Sequence, residues 1–206
     1  MKQKEILLFG ASGQIGRNLI RKLAENNYKI TAVTRNIHRT GYILKTQANP
    51  GYLELVELKN FEISKIEKLV KRSSICINLV GILYEKKKDE FKMIHSDFPT
   101  LLSKKASEFK LEKFIHLSAL GIEEAKDSRY AKSKLEGENK IKQNFGKSII
   151  LKPSIVYSVD DKFTTSFMSL LSMLPIMPLY YNGRTKFTPI HVSDMVNIIF
   201  NIIESK

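Results

Sequence analysis

Glu5-Ile6-Leu7-Leu8-Phe9, followed by Gly10-Ala11-Ser12-Gly13-Gln14-Ile15-Gly16, is the stretch whose reading decides the fold. The apolar run predicts a buried parallel strand. The amphipathic run from Arg17 to Asn26 predicts a helix that opens directly on the glycines. In such a strand–turn–helix unit Gly10 allows the tight turn and Gly13 lets the backbone approach a pyrophosphate. Gly16 lets the helix pack close to the strand. The helix N-terminus then presents free N–H groups and a positive dipole end to phosphates. Glycine turns are common as purely structural features. The position between a strand and a helix turns this one into an expectation of nucleotide binding.

With 206 residues the chain has room for one domain with a substantial core and is short for two. At 43% hydrophobic and 27% charged it resembles ordinary soluble proteins in composition. No apolar run approaches the roughly 20 residues of a membrane-spanning helix. The sequence runs straight into the first strand, so neither a signal peptide nor a transit sequence is expected. The single cysteine, Cys76, lies in an apolar strand pattern and reads as a buried small hydrophobe, with no disulfide within the chain. These features suit a reducing cytoplasm. The net charge of +13 could serve nucleic acid or an anionic membrane surface. Most of the basic residues are lysines scattered along the chain, which reads as a compositional bias and a solvated surface. The densest cluster, Lys86-Lys87-Lys88, falls in a loop.

The second strand, Tyr28 to Thr34, ends in Thr34-Arg35-Asn36. A site selecting NAD places an acid there to bond the adenosine ribose 2′-hydroxyl. Arg35 would instead hold a 2′-phosphate through two parallel hydrogen bonds, so NADP(H) is expected, with NAD as the second choice. Residues 37–51, with Gly41, Pro50 and Gly51, read as a loop. A third strand, Tyr52 to Leu58, precedes a helix with apolar positions at Ile63, Ile66, Leu69 and Val70. The fourth strand, Ser74 to Val80, stops at Gly81, on the edge where ligands bind in open α/β sheets. Glu90 to Lys110 reads as a helix kinked or broken at Pro99. His95 has no partner at metal-ligand spacing and reads as a surface or capping residue.

The fifth strand, Lys113 to Ser118, is followed by Ser128-Arg129-Tyr130-Ala131-Lys132-Ser133-Lys134, heading a helix to about Asn144. Tyr130 and Lys134 are one turn apart on one face. An ammonium beside a phenol lowers the tyrosine pKa, which fits it for general acid–base work. Lys132 and Ser133 read as solvent-facing. The sixth strand, Ser148 to Tyr157, should leave regular pairing at Pro153. Phe163 to Leu174 reads as an amphipathic packing or interface segment. Pro175, Pro178, the turn Asn182-Gly183-Arg184, a short strand Thr185 to Val192 and a last helix from Ser193 as N-cap to Glu204 complete the chain. Alternating strands and helices predict an α/β fold with a parallel sheet covered on both faces.

These landmarks together resemble the short-chain dehydrogenase/reductase superfamily in its extended, atypical, NAD-dependent epimerase/dehydratase-like branch. Within it the chain is most similar to the family of the NADPH-binding accessory subunit of respiratory complex I and its bacterial relatives. The residues that carry the resemblance are Gly10 to Arg17, Ile77 to Gly81, Phe114 to Ala119, Ser128-Arg129-Tyr130 with Lys134 and Gly137-Glu138, Lys152 to Tyr157, Asp161 to Phe163, and Pro189 to Asp194. The resemblance implies a seven-stranded, doubly wound Rossmann domain in three αβα layers with bound NADP(H). It puts Tyr130 and Lys134 at the active-site positions, with Lys134 on the nicotinamide ribose. It extends the cofactor-binding set beyond Gly10, Gly13, Gly16 and Arg35 to Ser12, Gln14, Ile15 and Leu58. At the far side of the sheet that set takes in Val80, Gly81, Pro153 and Ile155.

Two departures stand out. Ala119 falls where related enzymes place a catalytic serine or threonine, with Ser118 one residue early. Relatives also continue for roughly another hundred residues into a substrate lobe. The chain therefore reads as a single domain over 1–206, its lobe truncated to segments near 158–190 or absent, and the site open or completed by another chain. Two readings follow. One is an oxidoreductase or epimerase acting on a small carbonyl or alcohol, with Tyr130, Lys134 and Ser118 as catalytic residues. The other is a non-catalytic NADPH-binding or redox-sensing subunit that docks on a larger assembly, peripheral to the inner face of a membrane. An RNA-binding relative of the same fold rests on charge alone.

Overall fold

The computed structural model describes residues 4–174, 182, 184 and 186–205. Pro175, Pro178, Gly183 and Thr185 of the sequence reading lie outside the described residues. Strands β1 (Glu5–Phe9), β2 (Lys29–Thr34), β3 (Leu53–Glu57), β4 (Ile75–Asn78), β5 (Lys113–Leu117) and β6 (Ile149–Leu151) form one sheet in the order β3-β2-β1-β4-β5-β6. Every pairing in it is parallel. The order reverses between β1 and β4, which opens a crevice at their carboxyl ends.

The helices cover both faces. On one, α1 (Gln14–Glu25) packs against α7 (Val192–Glu204) over Ile6, Leu8, Ile30 and Ile77. On the other, α3 (Ile63–Arg72), α4 (Phe98–Glu108) and α5 (Arg129–Asn144) cover Leu7, Phe9, Cys76 and Phe114. The strands are apolar on both faces because both are buried, as the first strand's unbroken apolar run required. Burial pushes the Cys76 thiol pKa up and leaves it an inert core residue.

Several expectations need correction. Residues 37–51 are not all loop: α2 spans Ile37–Lys45. Asn36 caps it by accepting from the Arg39 N–H, and a Glu57 carboxylate oxygen accepts from the Ile37 N–H at 2.9 Å. Gly41, which read as a break, is buried in the helix with the Leu55 side chain close by. Ile63 of α3 is exposed. The seventh strand does not join the main sheet among the described residues. The chain leaves the sheet at Lys152-Pro153 as expected, and β7 (Val156–Tyr157) pairs in parallel with β8 (Ile190–His191) as a separate two-stranded unit. The last helix is capped by His191, whose ring accepts from the Ser193 N–H, and Ser193 is not the cap. Helix α6 (Lys162–Met173) exposes Phe163, Phe167, Met168, Leu171 and Met173. No helix among the described residues is long and apolar enough to cross a membrane.

Candidate nucleotide and carbonyl site

The glycine turn fits the function expected of it. Gly10 has φ +79°, and a Cβ there would meet the Leu79 backbone carbonyl carbon at 2.8 Å. A Cβ on Gly16 would lie 2.5 Å from the Gly10 carbonyl oxygen, so any side chain forces α1 away from β1. Gly13 ends the turn, its N–H donating to the Gly10 oxygen at 3.1 Å. It has no side-chain cap, and the first turn of α1 has no acid. The positive end of the helix is therefore uncompensated and directed at the crevice. A dinucleotide's phosphates fit such a cradle.

An open cleft of about 320 Å³ runs from this turn across the carboxyl ends of β4 and β5 to the start of α5. It brings Gly10, Gly13, Gln14, Ile15 and Gly16 together with Val80, Gly81, Ser118, Tyr130 and Lys134. These residues are up to 124 positions apart in sequence, from Gly10 to Lys134. Ser128 accepts from the Ala131 N–H and so fixes the first turn of α5. The Lys134 ammonium donates to the Leu117 carbonyl at 3.3 Å and stands 5.6 Å from the centre of the Tyr130 ring. Burial lowers the Lys134 pKa to about 8, opposed by the Glu138 carboxylate one turn on. Burial also raises the Tyr130 phenol pKa, contrary to the sequence expectation of a lowered one. The ammonium lies beside the ring and bonds a backbone carbonyl, so desolvation wins and the phenol keeps its proton.

The Ser118 Oγ is buried and has no hydrogen-bond partner among the described residues, an orphan at the wall of the cleft. Five expected cofactor residues lie outside the cleft lining. Ser12 is exposed at the turn, and Arg35 is exposed just past the end of β2. Leu58 is buried in the second core layer. The Pro153 and Ile155 carbonyls accept from the Leu120 and Ile190 N–H groups and so tie crossing segments together.

Sequence reading missed three features. Ile82 and Leu83 also line the cleft, beyond the glycine that ends the strand signal. The segment after β7 is strapped to α1: Gln14 donates to the Ser158 hydroxyl at 2.8 Å, and Arg17 pairs with Asp160 at 2.5 Å. His95 and Ser133, read as surface residues, are both buried against the site. Tyr130 and Lys134 lie on the same helix face as Ser133, a hint that its hydroxyl turns inwards.

Over 194 residues the chain is 26% identical to the Mus musculus mitochondrial NADH dehydrogenase [ubiquinone] 1 alpha subcomplex subunit 9, covering 94% of this chain and 52% of that protein. It is 24% identical over 191 residues to a ceramide reductase of Caulobacter vibrioides, covering 92% and 57%. The chain thus spans about half the length of the curated relatives it matches. Among solved structures, the UDP-glucuronic acid 4-epimerase of Bacillus cereus in complex with UDP-glucuronic acid and NAD superposes with a TM-score of 0.78. The identity is 20%, covering 98% of this chain and 74% of that one, so the likeness is one of fold. Residues 6–206 match the NAD dependent epimerase/dehydratase family, and the chain belongs to that family.

Proposed function

We propose that this chain is an NADP(H)-binding protein of the short-chain dehydrogenase type that reduces a carbonyl or oxidises the matching alcohol. One observation carries the reading: the phosphate cradle of Gly10, Gly13 and Gly16 opens into the same cleft as Tyr130, Lys134 and Ser118. When bound, the nicotinamide supplies or accepts the hydride. The chain's own residues do the rest. The Tyr130 phenol, kept protonated by burial, donates its proton to the carbonyl oxygen. The Ser118 hydroxyl, without a hydrogen-bond partner among the described residues, stands in for the serine or threonine that Ala119 replaces and donates a hydrogen bond to that oxygen. Lys134 holds the ribose end and supplies a positive charge beside the phenol. Residues 1–206 act as one Rossmann domain in a cytoplasmic protein.

Replacing Tyr130 with Phe should lower turnover by about 10²- to 10⁴-fold while leaving nucleotide affinity nearly unchanged. A panel of ketones, aldehydes and nucleotide sugars with NADPH, read at 340 nm, checks this. Equal turnover by the variant would overturn the assignment of Tyr130.

Arg35, exposed at the end of β2 with no acid next to it in sequence, supports a preference for the 2′-phosphate. Arg35→Asp should shift preference from NADP(H) to NAD(H) by at least about tenfold, read as the ratio of dissociation constants by calorimetry. An unchanged ratio would remove the 2′-phosphate contact from this arginine. Mass spectrometry of the nucleotide that co-purifies gives an independent answer.

A second reading, a nucleotide-binding subunit without turnover, is favoured by Ala119 and by the apolar exposure of α6. Likeness to a complex I subunit supports docking on a membrane-peripheral assembly. Tight NADPH binding with no turnover across the substrate panel would select it.

A further inference from the structure

His95 sits on a π-helical turn, Lys92–Asp97, that runs directly into α4. Pro99 brings the turn about: it has no N–H to give the His95 carbonyl, four residues back. The result is neither the kink nor the break expected from sequence. It is a wider turn that brings His95 against α5. A Cβ on Gly137 would lie 1.9 Å from the His95 carbonyl oxygen, so the two backbones touch there.

The side chain is buried, 1% exposed, and both its ring nitrogens are bonded. The Ile82 N–H donates to Nε2 at 3.1 Å. A backbone N–H can only donate, so Nε2 holds a lone pair and Nδ1 carries the proton. Nδ1 then donates to the Ser133 hydroxyl at 2.9 Å, and that hydroxyl donates onward to the Tyr130 carbonyl at 2.7 Å. The ring stacks on Phe91, centroids 5.3 Å apart, and stands edge-on to the Tyr130 ring at 5.2 Å. A Cβ on Gly81 would lie 3.8 Å from His95 Nε2 and 3.7 Å from Lys134 Nζ, so the three residues converge on one end of the cleft.

We propose that His95 is a positioning residue: one neutral imidazole, held in a single tautomer, spans from the loop after β4 to the first turn of α5. It thereby sets the width of the cleft where Tyr130 and Lys134 stand. The inference rests on the dinucleotide reading and assigns His95 to the nicotinamide half, leaving the phosphate cradle to the glycines. No other side chain type supplies an acceptor, a donor and an aromatic face in one rigid ring at that spacing.

The test compares two probes on the full chain by calorimetry: NADP⁺, which reaches both halves, and 2′,5′-ADP, which occupies only the adenosine half. His95→Leu keeps apolar volume and removes both bonds. It should weaken NADP⁺ by about tenfold while leaving 2′,5′-ADP within about twofold. His95→Gln, with an acceptor and a donor on one amide, should recover NADP⁺ to within about threefold of wild type. Ser133→Ala, which breaks only the second link, should weaken NADP⁺ by about threefold and spare 2′,5′-ADP. Equal losses for both probes in His95→Leu would mean general damage and overturn the proposal, as would a glutamine variant no better than leucine. Should the leucine variant fail to fold, Ser133→Ala decides, and unchanged NADP⁺ affinity there overturns it. A wild-type chain that binds neither probe and does not bind NAD⁺ removes the dinucleotide reading itself, an outcome distinct from one in which wild type binds and the variants bind equally.

Discussion

Gly137→Ala is expected to destabilise the protein by roughly 3 kcal/mol or more, although alanine is the better helix former. Gly137 lies in the middle of α5, where exchanging glycine for alanine at an exposed site gains about 1 kcal/mol. Here the added methyl group would fall 1.9 Å from the His95 carbonyl oxygen and 3.3 Å from the Ser96 Cα. Both are backbone atoms of the π turn, so no side chain can rotate out of the way. The helix must move, and Tyr130 and Lys134 move with it. Urea unfolding of wild type and variant reads the stability, and the variant should also lose dinucleotide affinity. A variant as stable as wild type would mean that α5 and the π turn are not in backbone contact.

The second large effect is acid destabilisation through two buried histidines. His95 is held down to about pKa 4 by burial first, with the Lys134 charge adding to it. His116 is held down to about 3, by burial first and then by the Lys134 and His95 charges. In His116 the Nδ1 atom accepts from the Asn78 amide at 3.1 Å, and Nε2 has no hydrogen-bond partner among the described residues. Both imidazoles are neutral in the folded chain at pH values where the unfolded chain, with pKa near 6.5, already binds protons.

The stability they contribute is complete above pH 6.5. It falls as pH drops through the window from 6.5 to about 4 for His95 and to about 3 for His116. Each should lower the unfolding free energy by on the order of 1 kcal/mol per pH unit inside its window. The lowered carboxylates Asp160 and Asp161, held by Arg17, Ser158 and Thr164, add to the loss only below the ordinary carboxylate range. Unfolding free energies from denaturant titrations at pH 7.0 and 5.0 should therefore differ by a few kcal/mol, with a lower midpoint at pH 5.0, and His38→Ala, at an exposed position, should leave that difference intact. Equal midpoints at the two pH values would contradict the buried, neutral state of both rings.

Much of the site was legible in the sequence because it lies at strand ends. Gly10 to Gly16, Val80-Gly81 and Ser118 each follow an apolar run that stops at the carboxyl edge, and a parallel sheet collects such ends in one place. The Tyr130 and Lys134 pair was legible from the period of the helix. Helix α2 was not read although Asn36 offers it a local cap, because Gly41 reads as a break and a second anchor, the Glu57 carboxylate, lies outside the segment at the end of β3. Ser133 and His95 were misread for a related reason. Polar side chains are assigned to the surface by default, and the partners that make their burial tolerable are 38 positions apart in sequence.

The sequence by itself determined the doubly wound parallel sheet and the glycine turn that opens the first helix. These depend on local patterns: apolar runs, glycine spacing and helical period, all read within a few residues. Only the tertiary structure decided the protonation of the site, the width of the cleft and the departure of β7 and β8 from the main sheet. Those depend on desolvation and on close contacts between segments far apart in the chain. A tyrosine and a lysine four residues apart do not reveal that burial will keep one protonated and lower the pKa of the other to about 8.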